Sequence, residues 1–360
     1  MATLPDEIIE NILLRLPVKS LLRFRCVCKA WRALISDSEF AEMHYQQPQT
    51  QARSRVLISC PGRVIQSMDP DASGNDNSGV VSIDYPLEPS NSVFQILDSC
   101  DGLLCVIDSF HNPALWNPST RQFNPLPKPS FLENSDILYG FTYDYSSDDY
   151  KIVRVVSTSR DVIKTEIDVF ELKTNEWRRV EETHYSRPAW DVGTFHNGAF
   201  YWLAWRLTEG HEGFSRVVVS FDLKEERFNE VELPSDVGII NLRVFGGYLS
   251  AMYHDLYGEL TKMWVMEEKS GKDSWANVAT LPFRSENDSD GPLLCWFANF
   301  LKNGGEFLLV INKWKLILYD FKTKTHKDIM FSGDLGLSIP VLYTETLVSP
   351  YGINETNEDI

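Results

Sequence analysis

Histidine, cysteine and clustered carboxylates are the side chains from which a catalytic or metal centre would be built, and here they are scattered. The histidines are His44, His111, His184, His196, His211, His254 and His326; the cysteines are Cys26, Cys28, Cys60, Cys100, Cys105 and Cys295. No G-x-S-x-G elbow, H-E-x-x-H pair or G-x-x-x-x-G-K-[ST] loop occurs. Cys26 and Cys28 have no second Cys/His pair to complete a zinc site, and Cys28 reads as a small buried apolar residue. The acidic segments DYSSDDY (144–150) and SENDSDG (285–291) lack the ligand order of a calcium loop and read as solvated turns. The sequence therefore predicts no catalytic centre, no metal and no cofactor. Ten tryptophans remain as material for binding. Trp116, Trp177, Trp264 and Trp275 fall in a repeated register that predicts core positions. Trp190, Trp205, Trp296 and Trp314 fall outside it and are freer to meet a ligand.

Two kinds of element must position these residues. The first 45 residues carry balanced charge, so the whole formal charge of −17 lies after them. That acidic excess argues against a nucleic-acid backbone as partner and permits a basic protein partner. No apolar run approaches the roughly 18 residues that cross a bilayer. No basic segment followed by an apolar stretch opens the chain, so no secretory leader and no membrane partner are expected. Six dispersed cysteines in 360 residues do not make a disulfide scaffold. The expected setting is the cytoplasm and/or nucleus, with the Asn287 and Asn354 sequons chance matches.

In LPDEIIENILLRLPVKSLLRFRCVCKAWRALISDSEF, Pro5 suits a helix start, and Asp6 and Glu7 suit its positive end. Ile8, Ile9, Ile12, Leu13 and Leu16 recur at helical spacing until Pro17 stops them. Leu21, Leu22, Phe24 and Val27, then Trp31, Leu34 and Ile35, form two further short runs. Some forty residues cannot bury this much apolar surface among themselves. The surplus face either docks on another protein or packs on the rest of this chain.

This segment resembles an F-box in its plant form. The matching residues are Leu4-Pro5, Ile8, the run from Leu16 to Leu21, Arg25, Val27-Cys28-Lys29, Trp31, Leu34-Ile35 and Phe40. The resemblance implies docking onto a Skp-type adaptor, and through it onto the cullin and RING subunits of a ubiquitin ligase. It carries adaptor contact over to Leu4, Pro5, Ile8, Ile12, Leu16, Pro17, Leu21, Val27, Cys28 and Trp31. Trp31 and Leu34 have an alternative role in holding the small helices together.

After a polar, Gln-rich linker (46–52), short β-rich runs replace the helical period. LWNPSTRQF (115–123), VFELKTNEW (169–177), SFDLKEERF (220–228) and LYDFKTKTH (318–326) each set a ring seven residues after another across a polar turn. A fifth copy opens at Trp264 and closes at Trp275 with four extra residues. The first rings are 54, 51, 43 and 55 residues apart, the length of a four-stranded propeller blade. Units at 95–128, 140–182, 193–234, 241–282 and 293–331, with a weaker one at 53–88, predict about six blades. The run 339–349 would return to the first sheet and close the ring, removing its exposed edge. A β-sandwich or two unrelated β-domains is the competing fold.

DSCDGLLCV, ALWNPSTRQFNPLP, DDYKIVRV and VFELKTNEWRRV resemble the kelch-like F-box-associated domain of plant F-box proteins, whose members include defence-signalling receptors and pollen determinants of self-incompatibility. The expected organisation is thus an all-α F-box (1–45), a linker (46–52), a kelch-like β-propeller (53–350) and a flexible tail (351–360). The resemblance implies a non-catalytic substrate receptor of an SCF-type cullin-RING ubiquitin ligase. An F-box scaffold without target turnover, and a glycan-binding or enzymatic propeller, are the alternatives. Propeller loops carry function, so Trp190, Trp205, His254 and Tyr257 are the candidate contacts to a target protein.

Overall fold

The computed structural model describes residues 4–51, 54–60, 64–69, 80–84, 95–130, 135–158, 164–183, 185, 193–207, 214–231, 233, 239–254, 261–269, 272–281, 295–300, 306–311, 315–320, 322–329 and 340–352. Five short helices come first: α1 (Asp6–Leu13), α2 (Val18–Phe24), α3 (Lys29–Ile35), α4 (Ser38–Tyr45) and α5 (Pro48–Gln51). The last of them lies in the segment read as linker. Six four-stranded antiparallel sheets follow, the blades of a β-propeller.

Blade 1 contains β1 (Ser54–Cys60), β2 (Val64–Met68) and β3 (Val80–Ile83). Blade 2 contains β4 (Gln95–Cys100), β5 (Leu103–Ile107), β6 (Pro113–Asn117) and β7 (Gln122–Pro125). Blade 3 runs β8 (Ser135–Asp144), β9 (Asp149–Thr158), β10 (Lys164–Glu171) and β11 (Glu176–Thr183). Blade 4 runs β12 (Thr194–His196), β13 (Ala199–Leu207), β14 (Phe214–Asp222) and β15 (Phe228–Val231). Blade 5 runs β16 (Ile239–Phe245), β17 (Tyr248–His254), β18 (Thr261–Lys269) and β19 (Lys272–Leu281). Blade 6 runs β20 (Cys295–Phe300), β21 (Glu306–Ile311), β22 (Lys315–Asp320) and β23 (Thr325–Ile329). The final strand, β24 (Val341–Thr344), pairs with β1 and completes blade 1, as the ring-closure reading expects.

Two compact units divide the chain: Met1–Lys128 with Met330–Ile360, and Pro129–Ile329. In the first, Leu57, Leu104, Trp116 and Tyr343 fill the space between blades 1 and 2. In the second, Val153, Ile167, Phe200, Trp202 and Phe221 join blades 3 and 4, and Met252, Phe307, Leu309 and Tyr319 join blades 5 and 6.

The ring repeat is turn chemistry. Asn117 Oδ1 accepts from the Ser119 and Thr120 amides (2.8 and 3.2 Å), Asp222 Oδ1 from Lys224 and Glu225 (2.9 and 2.7 Å), and Asp320 Oδ1 from Lys322 and Thr323 (2.7 and 3.2 Å). Arg121, Glu226 and Lys324 then turn the chain at positive φ. Such a closed loop sets the ring before it opposite the ring after it. Trp116 faces Phe123, Phe221 faces Phe228 and Tyr319 faces His326 across their strand pairs, and Phe170 likewise faces Trp177. The fifth copy departs from the expected pair. Lys269 pairs with Lys272 at the end of a longer hairpin, so the register sets Trp264 opposite Asn277 and Trp275 opposite Met266.

Asp101-Gly102 and Asn197-Gly198 are two-residue hairpin turns with all four φ values positive, the geometry that matches strand twist. They supply a built-in comparison. A Cβ on Gly102 would lie 2.3 Å from Thr344 O and 2.4 Å from Thr346 Cγ2, whereas one on Gly198 meets nothing within 4 Å. Gly198→Ala carries only the positive-φ penalty, about 1 kcal/mol. Gly102→Ala must also displace the backbone of β24. Thermal unfolding is therefore expected to start several degrees lower for Gly102→Ala than for Gly198→Ala; equal midpoints would contradict the close approach.

Candidate functional site

The helices divide the apolar residues of the first forty-five positions into two sets. Pro5 sits at the N-cap of α1 with φ −56° and ψ 144°, and its carbonyl accepts from the Ile8 amide at 3.0 Å. Asp6 and Glu7 occupy the first turn, where the helix dipole favours them. Ile9 and Leu13 face inward. Leu13 joins Val18, Leu21, Ile35, Phe40, Ala41 and Leu347 in a filled core, with Leu16, Phe24, Trp31 and Leu34 packed partly exposed around it. Cys28 Sγ caps α3, accepting from the Trp31 amide at 3.4 Å, and Asp37 caps α4 through the Glu39 and Phe40 amides. His44 Nε2 donates to Leu16 O at 2.8 Å and ties α4 to the turn between α1 and α2.

The other set faces water. Leu4, Ile8 and Ile12, four residues apart, are 56 %, 46 % and 49 % exposed, and Val27 at the α2–α3 turn is 61 % exposed. Large apolar side chains left outside an already filled core make this face the candidate docking surface.

The sequence-derived contact residues thus separate. Leu4, Pro5, Ile8, Ile12, Val27 and Cys28 are exposed. Leu16, Pro17 and Trp31 are half-buried, with Trp31 against Phe24 at 5.5 Å between ring centroids. Leu21 is wholly buried and belongs to the core that holds the helices together, because a seven-residue helix wedged among three others has no free inner face. Cys28 corrects the opposite way: it is exposed and works as a helix cap, because the chain must be extended there to enter α3.

The propeller candidates fare differently. Trp190 and Tyr257 lie outside the described residues, and His254 ends β17. Trp205 in β13 is half-buried and opposite Arg216, whose guanidinium carbon lies 4.9 Å from the ring centroid, so that contact covers part of the indole. Among the described residues, the exposed aromatics that the sequence reading did not single out are Phe110, Tyr145 and Tyr248. Phe110, 71 % exposed, tips the β5–β6 loop. Asp108 Oδ1 holds that loop through the Phe110 and Asn112 amides (2.8 and 2.9 Å), and its Oδ2 accepts from Asn112 Nδ2 at 2.7 Å. The only signal for Phe110 was a lone aromatic between turn-forming residues in DSFHN.

The DYSSDDY segment is a capped hairpin. Asp144 accepts from the Ser146 amide and from the Ser146 and Ser147 hydroxyls, and pairs with Lys151 Nζ at 2.9 Å. Burial raises the Asp144 carboxyl, but these bonds outweigh it and hold the group well below the usual carboxylate range. Cys26, Cys28 and Cys105 are free thiols, and burial, with the nearby Asp98 charge, pushes the Cys105 thiol far up. Among the described residues no three His, Cys, Asp or Glu side chains are grouped to hold a metal ion, and no helix is long and apolar enough to cross a membrane.

Residues 1–42 match the F-box domain model, and residues 56–337 match the F-box associated beta propeller domain model. This chain is an F-box protein of that family. It is similar to F-box protein CPR1 of Arabidopsis thaliana, 30 % identical over 90 % of this chain and 83 % of the relative. An F-box/kelch-repeat protein of the same plant is 29 % identical over 96 % of both chains. Among solved structures, a chain of the nidogen/laminin complex matches 81 % of this chain and 99 % of its own length at TM-score 0.51 and 11 % identity, a likeness of fold alone. An F-box followed by a propeller is the architecture of F-box substrate receptors, and such proteins are typically non-catalytic adaptor subunits. An F-box implies binding of a Skp-type adaptor.

Proposed function

We propose that this F-box protein is the substrate-recognition subunit of an SCF-type cullin-RING ubiquitin ligase, working in the cytoplasm and/or nucleus. The observation that carries the reading is the exposed row Leu4, Ile8 and Ile12 with Val27, apolar side chains left in water on helices whose own core is full. They are the anchors for the Skp-type adaptor, and through it for cullin and RING subunits. The propeller holds a target protein near the ubiquitin-conjugating enzyme, so catalysis comes from proximity supplied in trans. In blade 2 the C-terminal segment lies against the edge that carries the 101–102 and 118–121 turns. The β5–β6 loop leaves the opposite edge, and we assign target contact there, with Phe110 as an aromatic anchor on a stiffened loop.

Reconstitution tests this. Full-length protein mixed with a plant Skp-type adaptor, cullin and RING subunit is expected to elute as one complex. Proteins that co-purify with it are expected to gain ubiquitin chains only when every subunit is present, and less when Phe110 is changed to Ala. Elution apart from the adaptor overturns the ligase reading. A stable complex that ubiquitinates none of its bound proteins selects the scaffold role instead.

A further inference from the structure

We infer that the segment Thr346–Tyr351 fastens the adaptor-binding helices to blades 1 and 2, and that Asn117 and Leu347 are positioning residues that fix the orientation of the F-box. The consequence for ubiquitin transfer rests on the ligase reading above; the fastening does not.

The chain leaves β24 at Thr344, which pairs with Ser54 in β1. Within three residues it enters the helices, where Leu347 is buried with Leu13, Leu21 and Phe40. Thr346 is wholly buried beside it, under the Gly102 turn. On the blade side the segment is held by side chains from two strands and a turn. Asn117 Nδ2 donates to Thr346 O at 3.1 Å and to Val348 O at 2.8 Å. Asn124 Nδ2 donates to Pro350 O at 2.9 Å, and Tyr351 OH donates to Phe123 O at 2.9 Å. The Ser119 amide donates to Tyr343 OH at 3.0 Å, in the strand that feeds the segment. Tyr351 was expected to start a flexible tail, but this bond and half-burial anchor it; residues 353–360 lie outside the described residues.

Asn117 is the informative residue. The same place in the blade 4 and blade 6 turns is taken by Asp222 and Asp320, whose carboxylates accept the same two turn amides. In blade 2 the segment passes over that turn, and there the residue is an amide. Its oxygen does the turn's work and its NH2 binds the segment, so all four hydrogen-bonding positions are filled. A carboxylate there would set an anionic oxygen against two carbonyl oxygens in a buried site.

The chain connection that leads from α5 to β1 is one attachment of the helices to the blades. Leu347 adds a second from the opposite terminus, and two attachments restrict rotation more than one. In a ligase that acts by proximity, a fixed offset between adaptor and target raises the local concentration of target lysines at the conjugating enzyme.

The test uses full-length protein with a fluorophore pair introduced as unnatural amino acids at the exposed Glu39 in α4 and Gln95 in β4. Single-molecule energy transfer is recorded with and without a Skp-type adaptor. Wild type and Leu347→Met are expected to give one narrow peak. Asn117→Asp and Leu347→Glu are expected to broaden the peak at least about twofold or split it. Asn117 lies in β6, outside the helices that carry the exposed row, so Asn117→Asp should keep adaptor binding, which separates loss of orientation from loss of folding. A broad wild-type peak, or an Asn117→Asp peak matching wild type, overturns the inference. A narrow wild-type peak with no adaptor bound leaves the fastening intact and removes the ligase reading.

Discussion

Changing Ile8 to Gln and Ile12 to Lys is expected to abolish capture of a Skp-type adaptor while the helices stay folded. Both side chains stand about half in water on the outer face of α1. Neither is among the buried residues of the helical core. Gln and Lys are good helix formers, and a cation near the C-terminal end of α1 suits its dipole. Stability is therefore expected to move by no more than about 0.5 kcal/mol, as for surface changes generally. Binding should move far more. An apolar anchor in a desolvated interface contributes about 2 kcal/mol or more, so losing two weakens Kd by on the order of a thousandfold. Leu21→Ala is the contrasting variant. It empties a wholly buried site and should cost about 2–5 kcal/mol of stability. Adaptor capture by Leu21→Ala should fall only as the helices melt, and recover on cooling. Titration of each variant against the adaptor, with circular dichroism alongside, reads both quantities. Full binding by the Ile8/Ile12 double variant would show that the exposed row is not the docking face.

The difference between Ile8 and Leu21 also marks the limit of what the sequence discloses. Spacing runs Ile8, Ile9, Ile12 and Leu13 together as one apolar stripe of α1, and only packing turns Ile9 and Leu13 inward and leaves Ile8 and Ile12 in water. In α2, seven residues with apolar side chains at both faces leave the inner one ambiguous, and only packing resolves it. The blades were legible for a local reason. A turn that closes on its own Asn or Asp forces the second ring to a fixed distance, so the repeat records local chemistry. In the fifth copy the hairpin is longer, the local rule lapses, and Trp275 pairs with Met266. Contacts made across the chain left no periodic trace. Asn117 meets Thr346 and Val348 some 230 positions away, and Leu347 reaches the helical core from the opposite terminus. The difference between Asn117 and its counterparts Asp222 and Asp320 was visible in the sequence, but nothing there named the partner.

Replacing Asp168 with Ala is expected to destabilise the second unit more than any surface change. Arg154, Asp168 and Arg179 are neighbours across β9, β10 and β11. Arg154 is 1 % exposed and donates through Nη1 to Asp168 Oδ2 at 3.0 Å and through Nη2 to Ser130 O at 2.8 Å. Arg179 Nε donates to Asp168 Oδ1 at 3.1 Å, and its Nη2 lies 2.8 Å from Glu166 Oε2. The four charges cancel, which is the condition for keeping them out of water. Removing Asp168 leaves the Arg154 guanidinium buried with the Ser130 carbonyl as its hydrogen-bond partner among the described residues. Breaking one side of a buried pair costs about 3–5 kcal/mol, on the order of 10 °C in the unfolding midpoint for a unit of this size. The loss should be indifferent to added salt, since buried pairs are little screened. Arg154→Met combined with Asp168→Leu removes the charge and its partner together, and should restore most of the midpoint, because a buried pair is worth little more than the apolar packing that replaces it. If Asp168→Ala unfolds within about 2 °C of wild type, water reaches Arg154 and the ladder is not what holds blade 3. If the double variant is no better than the single one, the loss comes from packing around the bulge at Ile167–Asp168 and not from an orphaned charge.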